Sequence, residues 1–233
     1  EADFLFEETE QGVRLTRKSI ELSAEKKAKG KIEISGKQVP VEIHLIDGSI
    51  TGTKWTKDLF LHLQQGKVIL KENQSTVVVH SQKGEAIVSD HKGKVIIDSL
   101  QTAVNIKELN GDLDLQSYQG DVVLDSVKGN MVLHTTNGAA KILKGTGSIL
   151  FETGKGSINS QNFQGRIEGQ TNDGQVQVAL QAGQDVNVRT QTGKVTIATL
   201  PNSGALLNIM TIDGEIYGPA YLKVARDGSQ KTL

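Results

Sequence analysis

Cysteine is absent from the chain, which excludes a disulfide framework, a thiol nucleophile and a thiolate metal site. Aromatic residues make up only 4% and proline occurs three times. So few rings suit a narrow aliphatic column better than a broad globular core. Lysine plus arginine (26) and aspartate plus glutamate (27) nearly cancel, so no net field draws nucleic acid or an anionic membrane. No apolar run approaches the roughly 20 residues of a membrane helix, and no signal peptide stands at the start. A membrane partner would therefore be reached only through a segment absent from this chain. The first residue is Glu1 rather than methionine, and the expectation is a mature or trimmed form that has lost a targeting segment. A Walker-type phosphate loop, a Gly-x-Ser-x-Gly elbow and a His-Glu-x-x-His helix are all missing, so no cofactor is expected.

Glycine is what the chain has in order. Gly30, Gly48, Gly66, Gly84, Gly93, Gly111, Gly120, Gly129, Gly138, Gly147, Gly156, Gly165, Gly174 and Gly183 fall on a nine-residue grid. Val39, Lys57, Ser75 and Thr102 occupy the remaining grid points. Two and four residues after most grid points stand aliphatic residues, as in Ile32/Ile34, Leu59/Leu61, Val95/Ile97 and Val122/Leu124. Alternation puts both on one face of a short strand, and glycine permits the bend that follows. Asp47-Gly48, Asn110-Gly111, Asn137-Gly138 and Asp173-Gly174 are turn pairs. One unit buries almost nothing alone; stacked units bury a continuous column. The pattern predicts an all-β, single-stranded parallel β-helix, or β-solenoid.

Stacked coils bring equivalent residues together, so identities should recur at the coil length. At a step of 18, the fifth position after the grid point reads His44, His62, His80, Asp98, Gln116, His134, Glu152, Gln170. Val39, Lys57 and Ser75 are also 18 apart. A step of 27 scatters both groups. Two units per coil, about 18 residues, is the favoured reading, with 27 as the alternative. Right-handed winding is the default for parallel crossovers.

Residues 1–29 leave the grid and are expected to cap the first coil, with the lysine-rich stretch 24–31 forming a turn or a short helix. Residues 30–204 form the repeats, and 205–233 the last coil and a C-terminal cap. One extra residue enters near Gly183, and Leu200–Gly204 reads as a loop insertion. Tyr217, Tyr221, Leu222 and Val224 are expected to close the far end, and the polar tail from Arg226 to fray.

Three groups of residues could carry function. His44, His62, His80 and Asp98 form a polar ladder, either a pH- or metal-sensitive strip or simply solvated side chains beside a turn. Side chains of one ladder run parallel, whereas zinc needs converging ligands, so no metal site is expected. Asp98, Asp112, Asp114, Asp121, Asp125 and Glu152 could serve acid–base work on a polysaccharide, but aspartate after glycine is ordinary turn chemistry, and no catalytic residue is assigned. Calcium-binding β-rolls share the nine-residue step but need Gly-Gly-x-Gly-x-Asp, and the chain has no Gly-Gly pair. Finally, Phe60, Ile69, Val78, Ile87 and Ile96 lie between core positions and should face outward as an apolar interaction stripe, covered by residues 1–29 or by a loop, or open to a partner. Trp55, the only tryptophan, is expected to pack at a coil corner.

The unit seen in Gly111-Asp-Leu-Asp-Leu, Gly120-Asp-Val-Val-Leu, Gly129-Asn-Met-Val-Leu and Gly193-Lys-Val-Thr-Ile resembles that of a bacterial family of adhesin-like proteins of unknown function, over about residues 30–218. The resemblance implies a β-helix behind an export signal or membrane anchor, with no catalytic residues to carry over. A second resemblance, to the cytoskeletal bactofilins, implies end-to-end polymerisation. The leading expectation is a non-enzymatic, adhesin-like or structural module in the envelope or on the cell surface, secreted or periplasmic, whose partner is a protein or a glycan. The alternatives are a self-associating cytoplasmic scaffold and a polysaccharide-acting β-helix enzyme.

Overall fold

The computed structural model describes residues 4–9, 12–17, 30–35, 40–198, 204–221, 225–227 and 230–232. Strict alternation organises each coil. In the strand Val41–Thr53, Val41, Ile43 and Leu45 are buried while Glu42 and His44 face out; after a corner at Gly48, Ile50 and Gly52 turn inward. We call the first run side A and the second side B. Parallel pairing then stacks equals on equals. Leu61 lies on Ile43, Val79 on Leu61, Ile97 on Val79 and Leu115 on Ile97, each 18 residues on. The coil is therefore 18 residues, not 27. Every regular element among the described residues is a strand, and the whole is a β-solenoid of about ten turns. Its inward residues form one core cluster from Ile32 to Ile209. Each fully buried aliphatic side chain in it contributes roughly 1.5–3 kcal/mol relative to exposure.

Each corner of the coil carries a glycine ladder, and the second corner adds a further device. At the first corner the ladder includes Gly48, Gly66 and Gly84. Gly84, with φ 147°, stands on Gly66, and a Cβ added there would overlap the Gly66 carbonyl oxygen. Thr102 occupies the next rung, and its buried hydroxyl donates to Ser81 Oγ at 3.0 Å. The second corner has its own glycine ladder, with Gly111 standing on Gly93 and Gly129 on Gly111, and ahead of it left-handed residues that are not glycine: Lys54, Glu72, Asp90, Glu108, Ser126 and Asn162, with φ between 49° and 60°. Each is followed by a buried corner residue, namely Trp55, Asn73, His91, Leu109, Val127 and Phe163. Trp55 is 1% exposed, as expected of a corner residue. Asn73 stitches this corner, accepting the Trp55 N–H on Oδ1 at 2.7 Å and donating to Gly52 O at 3.3 Å. Glycines off the grid give room to rings: Gly169 lies directly on Phe151, and a Cβ on Gly145 would come 2.9 Å from Phe163 Cδ2.

The extra residue near Gly183 is visible in the register. Val186 pairs with Ile167 and Val195 with Val176, both 19 apart. Gly183 has φ 70° with nothing near its missing Cβ, so it is a turn residue and not a rung of the ladder. The next coil is longer still, since Leu207 pairs with Val186 and Ile216 with Val195. Residues 199–203, which span most of the expected insertion, lie outside the described residues.

Both ends carry antiparallel pairs. Phe4–Thr9 pairs with Gly12–Arg17, and Val13–Thr16 then adds a parallel rung to Val41–His44. This hairpin extends side A by one rung and does not lie across it. At the other end, Ala225–Asp227 pairs with Gln230–Thr232, which adds antiparallel to Met210 and Thr211. The tail expected to fray is thus paired. Tyr217 and Tyr221 are exposed; Leu222 and Val224 lie outside the described residues, as does most of the lysine-rich stretch.

Candidate functional site

Side A carries the functional candidates: the stacked histidines and the larger groove both lie on it. The inner of its two outward ladders runs Glu42, Phe60, Val78, Ile96, Asp114, Val132, Leu150, Glu168. Ile69 and Ile87 lie on side B, between Thr51 and Asn105. The five residues expected to form one apolar stripe therefore divide between two sides of the rod, three on one and two on the other. The nine-residue unit alternates between sides, so every second outward residue faces elsewhere. Phe60 is 39% exposed, and the other four are half-buried against their neighbours on adjacent rungs.

The polar ladder beside it is continuous, as the 18-residue step requires. His62 stacks on His44 with ring centroids 4.4 Å apart and planes 3° from parallel, and His80 stacks on His62 at 4.9 Å. Glu42 Oε1 lies 2.6 Å from His44 Nε2 and 3.7 Å from His62 Nε2. Partial burial, and then the neighbouring His44 and His80, hold the His62 pKa below its ordinary value against the opposing pull of Glu42. His80 Nδ1 is 3.5 Å from Asp98 Oδ2. Further along, His134 Nδ1 meets Glu152 Oε2 at 3.1 Å, and Gln170 Nε2 donates to Glu152 Oε1 at 3.1 Å.

Where this ladder meets the first corner, a groove of about 550 Å³ crosses five successive coils. Its floor is the polar ladder from Asp98 through Gln116, His134 and Glu152 to Gln170, and Leu100 and Tyr118 stand at its rim. Tyr118 is 52% and Leu100 53% exposed. A second hollow of about 240 Å³ shares Glu152 and Gln170 and continues to Asn187 and Arg189 over Gly169.

Three of the remaining four carboxylates are spent on turns. Asp112 Oδ1 accepts the Asn130 N–H at 3.0 Å, Asp121 Oδ1 accepts that of Ala139 at 2.9 Å, and Asp125 accepts the Ser126 hydroxyl at 3.0 Å. Asp114 sits among the outward residues of side A between Ile96 and Val132. Only Asp98 and Glu152 of the six share the groove.

Two features escaped sequence reasoning. One is a buried hydroxyl ladder beneath the groove: Ser81, Ser99, Ser117, Thr135, Thr153, Thr171, Thr190 and Thr211. In the last four coils the threonine Oγ1 accepts the N–H of the glycine three residues on, at 2.9–3.1 Å. The signal was a Ser/Thr-x-x-Gly recurrence at the coil step. The other is His91, the one histidine off the polar ladder. It is 1% exposed; Nε2 donates to Ser75 O at 3.0 Å and Nδ1 is buried without a partner. Burial pushes its pKa down, against the pull of that carbonyl.

No family model, curated protein or solved structure matches the chain. No helix among the described residues is long and apolar enough to cross a membrane.

Proposed function

We propose that the protein is a non-catalytic binding rod whose side A groove takes an extended polar polymer, a glycan chain before all others. The observation that carries this reading is the groove itself: an open channel along the rod axis with a polar residue on each rung and an exposed ring at its rim. Rungs recur at about 4.8 Å, so a linear polymer lying along the axis meets one polar group per rung. Tyr118 supplies an amphipathic face on which a sugar ring can stack. Carboxylate, amide and imidazole groups are mixed along the floor, suiting hydroxyl groups better than a single charge would.

The carboxylate geometry supports binding over hydrolysis. Asp98 and Glu152 are three rungs apart, at Asp98, Gln116, His134 and Glu152, or about 14 Å at strand spacing. Paired glycosidase carboxylates sit about 5–9.5 Å apart. Each is also engaged by a neighbour, Asp98 by His80, and Glu152 by His134 and Gln170. The antiparallel pairs at both ends support display over end-to-end polymerisation, because on side A they replace the open parallel edge a stacked filament would use. Placement in a bacterial envelope or on the surface rests on the family resemblance alone, and degradation by protease added to intact cells tests it.

The direct test is a glycan array followed by calorimetry on any hit, with Tyr118→Ala as the variant. Loss of ring stacking should weaken binding about tenfold, or about 1.4 kcal/mol, leaving stability unchanged. A panel of neutral and acidic polysaccharides with no binder, or a binder indifferent to Tyr118, Glu152 and Gln116 substitutions, would refute the groove.

A further inference from the structure

A second site lies at the other end of side A, where three ligand-bearing groups converge outside the groove. We propose that Glu42, His44 and His62 form a binding site for a divalent transition-metal ion, with zinc as the type case. One ligand atom from each, the Glu42 carboxylate oxygen and two imidazole nitrogens, lies within 4.8 Å of both others. Tetrahedral zinc with bonds of about 2.0–2.1 Å places its ligand atoms about 3.3 Å apart. The Glu42 separations from His44 and His62, 2.6 and 3.7 Å, lie on either side of that value. Side-chain rotation that tilts the two rings out of parallel brings the three atoms round one ion.

Two neighbouring ladders, not one, make the convergence possible. A ladder of parallel imidazoles cannot surround an ion by itself. Glu42 stands two residues before His44 on the same strand and faces the same way, so its carboxylate reaches across to both rings. The stack keeps the two rings on successive rungs of one face: the centroids of His44 and His62 are 4.4 Å apart with planes 3° from parallel, and His80 backs His62 from the far side. The three ligand side chains are 35–40% exposed, desolvated enough to bind and open enough to admit an ion. Two imidazoles with one carboxylate suit zinc, copper or nickel over calcium and magnesium. The donor set leaves a fourth position for water or for a group on a partner.

The test is calorimetry with zinc chloride alone, near neutral pH, on the full chain without a histidine tag. The expected result is one equivalent bound, at least tenfold weaker in each of His44→Ala, His62→Ala and Glu42→Gln. His134→Ala removes a comparable surface histidine beside a carboxylate and should leave binding unchanged. Cobalt in place of zinc should give the intense visible bands of a four-coordinate ion, lost in the same three variants. Circular dichroism on each variant separates loss of the site from loss of the fold. No saturable binding at millimolar zinc, or equal weakening in His134→Ala, would overturn the proposal. So would binding unaffected by Glu42→Gln, because the carboxylate is what turns a ladder into a site.

Discussion

Replacing Gly84 by alanine tests the stacking of the first corner most directly. Two terms add. At φ 147° the backbone is in a region L-residues rarely enter, costing about 1–3 kcal/mol. The added Cβ also overlaps the Gly66 carbonyl oxygen, backbone that cannot rotate away, and overpacking of this kind costs about 1–3 kcal/mol. The lower entropy of the unfolded alanine chain returns about 0.4–1 kcal/mol. The net expectation is a loss of about 1–5.5 kcal/mol, or a fall in Tm of roughly 2–20 °C for a chain of this length. Gly183→Ala is the control, because φ there is 70° and nothing approaches the missing Cβ. It keeps the conformational penalty of about 1–2 kcal/mol and lacks the steric one. Urea unfolding of both variants, with amide exchange at the Ala86 and Val104 rungs, gives the comparison; exchange localises the damage because solenoid coils depend mainly on their neighbours. Equal, small losses in the two variants would refute the steric account. They would mean that the corner at residue 84 relaxes into the form Thr102 adopts one rung on, which needs no positive φ.

Other perturbations follow from the second corner and the core. His91 is neutral when buried and its folded pKa lies below the ordinary 6.5. The unfolded chain therefore binds the proton first, and stability falls as pH drops below about 6.5 until the folded pKa is passed. His91→Leu, matching Leu109 on the next rung, should flatten that fall in a Tm-against-pH series; an unchanged slope would assign it to other groups, His62 first among them. Glu108 shows the opposite shift. A hydrogen bond and repulsion from Asp90 raise its pKa, so its contribution is present at low pH and lost as pH rises through the raised pKa. Glu108→Asn removes the repulsion and keeps a residue tolerant of the left-handed conformation, and should raise Tm at neutral pH but not at pH 3. Trp55→Ala, which empties a fully buried corner, should cost about 3–5 kcal/mol, measurable by urea unfolding; a loss below about 1 kcal/mol would show that the corner collapses without it.

How far the structure could be read beforehand depends on which way each residue points. Inward residues repeat because each must fit the one beneath it, so glycine and aliphatic spacing disclosed the strands and the slip near Gly183, while the 18-residue coil was read from the outward ladder of His44, His62 and His80 and from the grid points without glycine at Val39, Lys57 and Ser75. The Ser/Thr ladder from Ser81 to Thr211 was equally periodic but hidden, since hydroxyl residues are unremarkable in turn-rich sequences. The left-handed ladder at Lys54, Glu72, Asp90, Glu108, Ser126 and Asn162 was not legible at all, because the side chains there share no chemistry. Nor were the hairpins at the ends, where the partner strands are offset from the grid and no repeat announces them.

The candidate sites fail to repeat for a reason that is itself informative. An outward residue has no rung-to-rung packing demand, so what recurs on side A does so by choice of chemistry. His44, His62 and His80 repeat at the coil step, and a single period could reveal them. The apolar residues misled because a nine-residue grid counts both sides of the coil as one, joining Phe60 to Ile69 although a corner lies between them. Glu42 was invisible for the complementary reason: it belongs to the ladder next to the histidines, two residues along one strand. Its relation to His62 exists only once the 18-residue register is known. A binding site on a solenoid is therefore a two-dimensional pattern, with the coil step along the rod and the alternation of two across it. The groove from Asp98 to Gln170 and the Glu42–His44–His62 cluster both appear when the sequence is wrapped at 18 and read by side, and neither appears when it is read as a line.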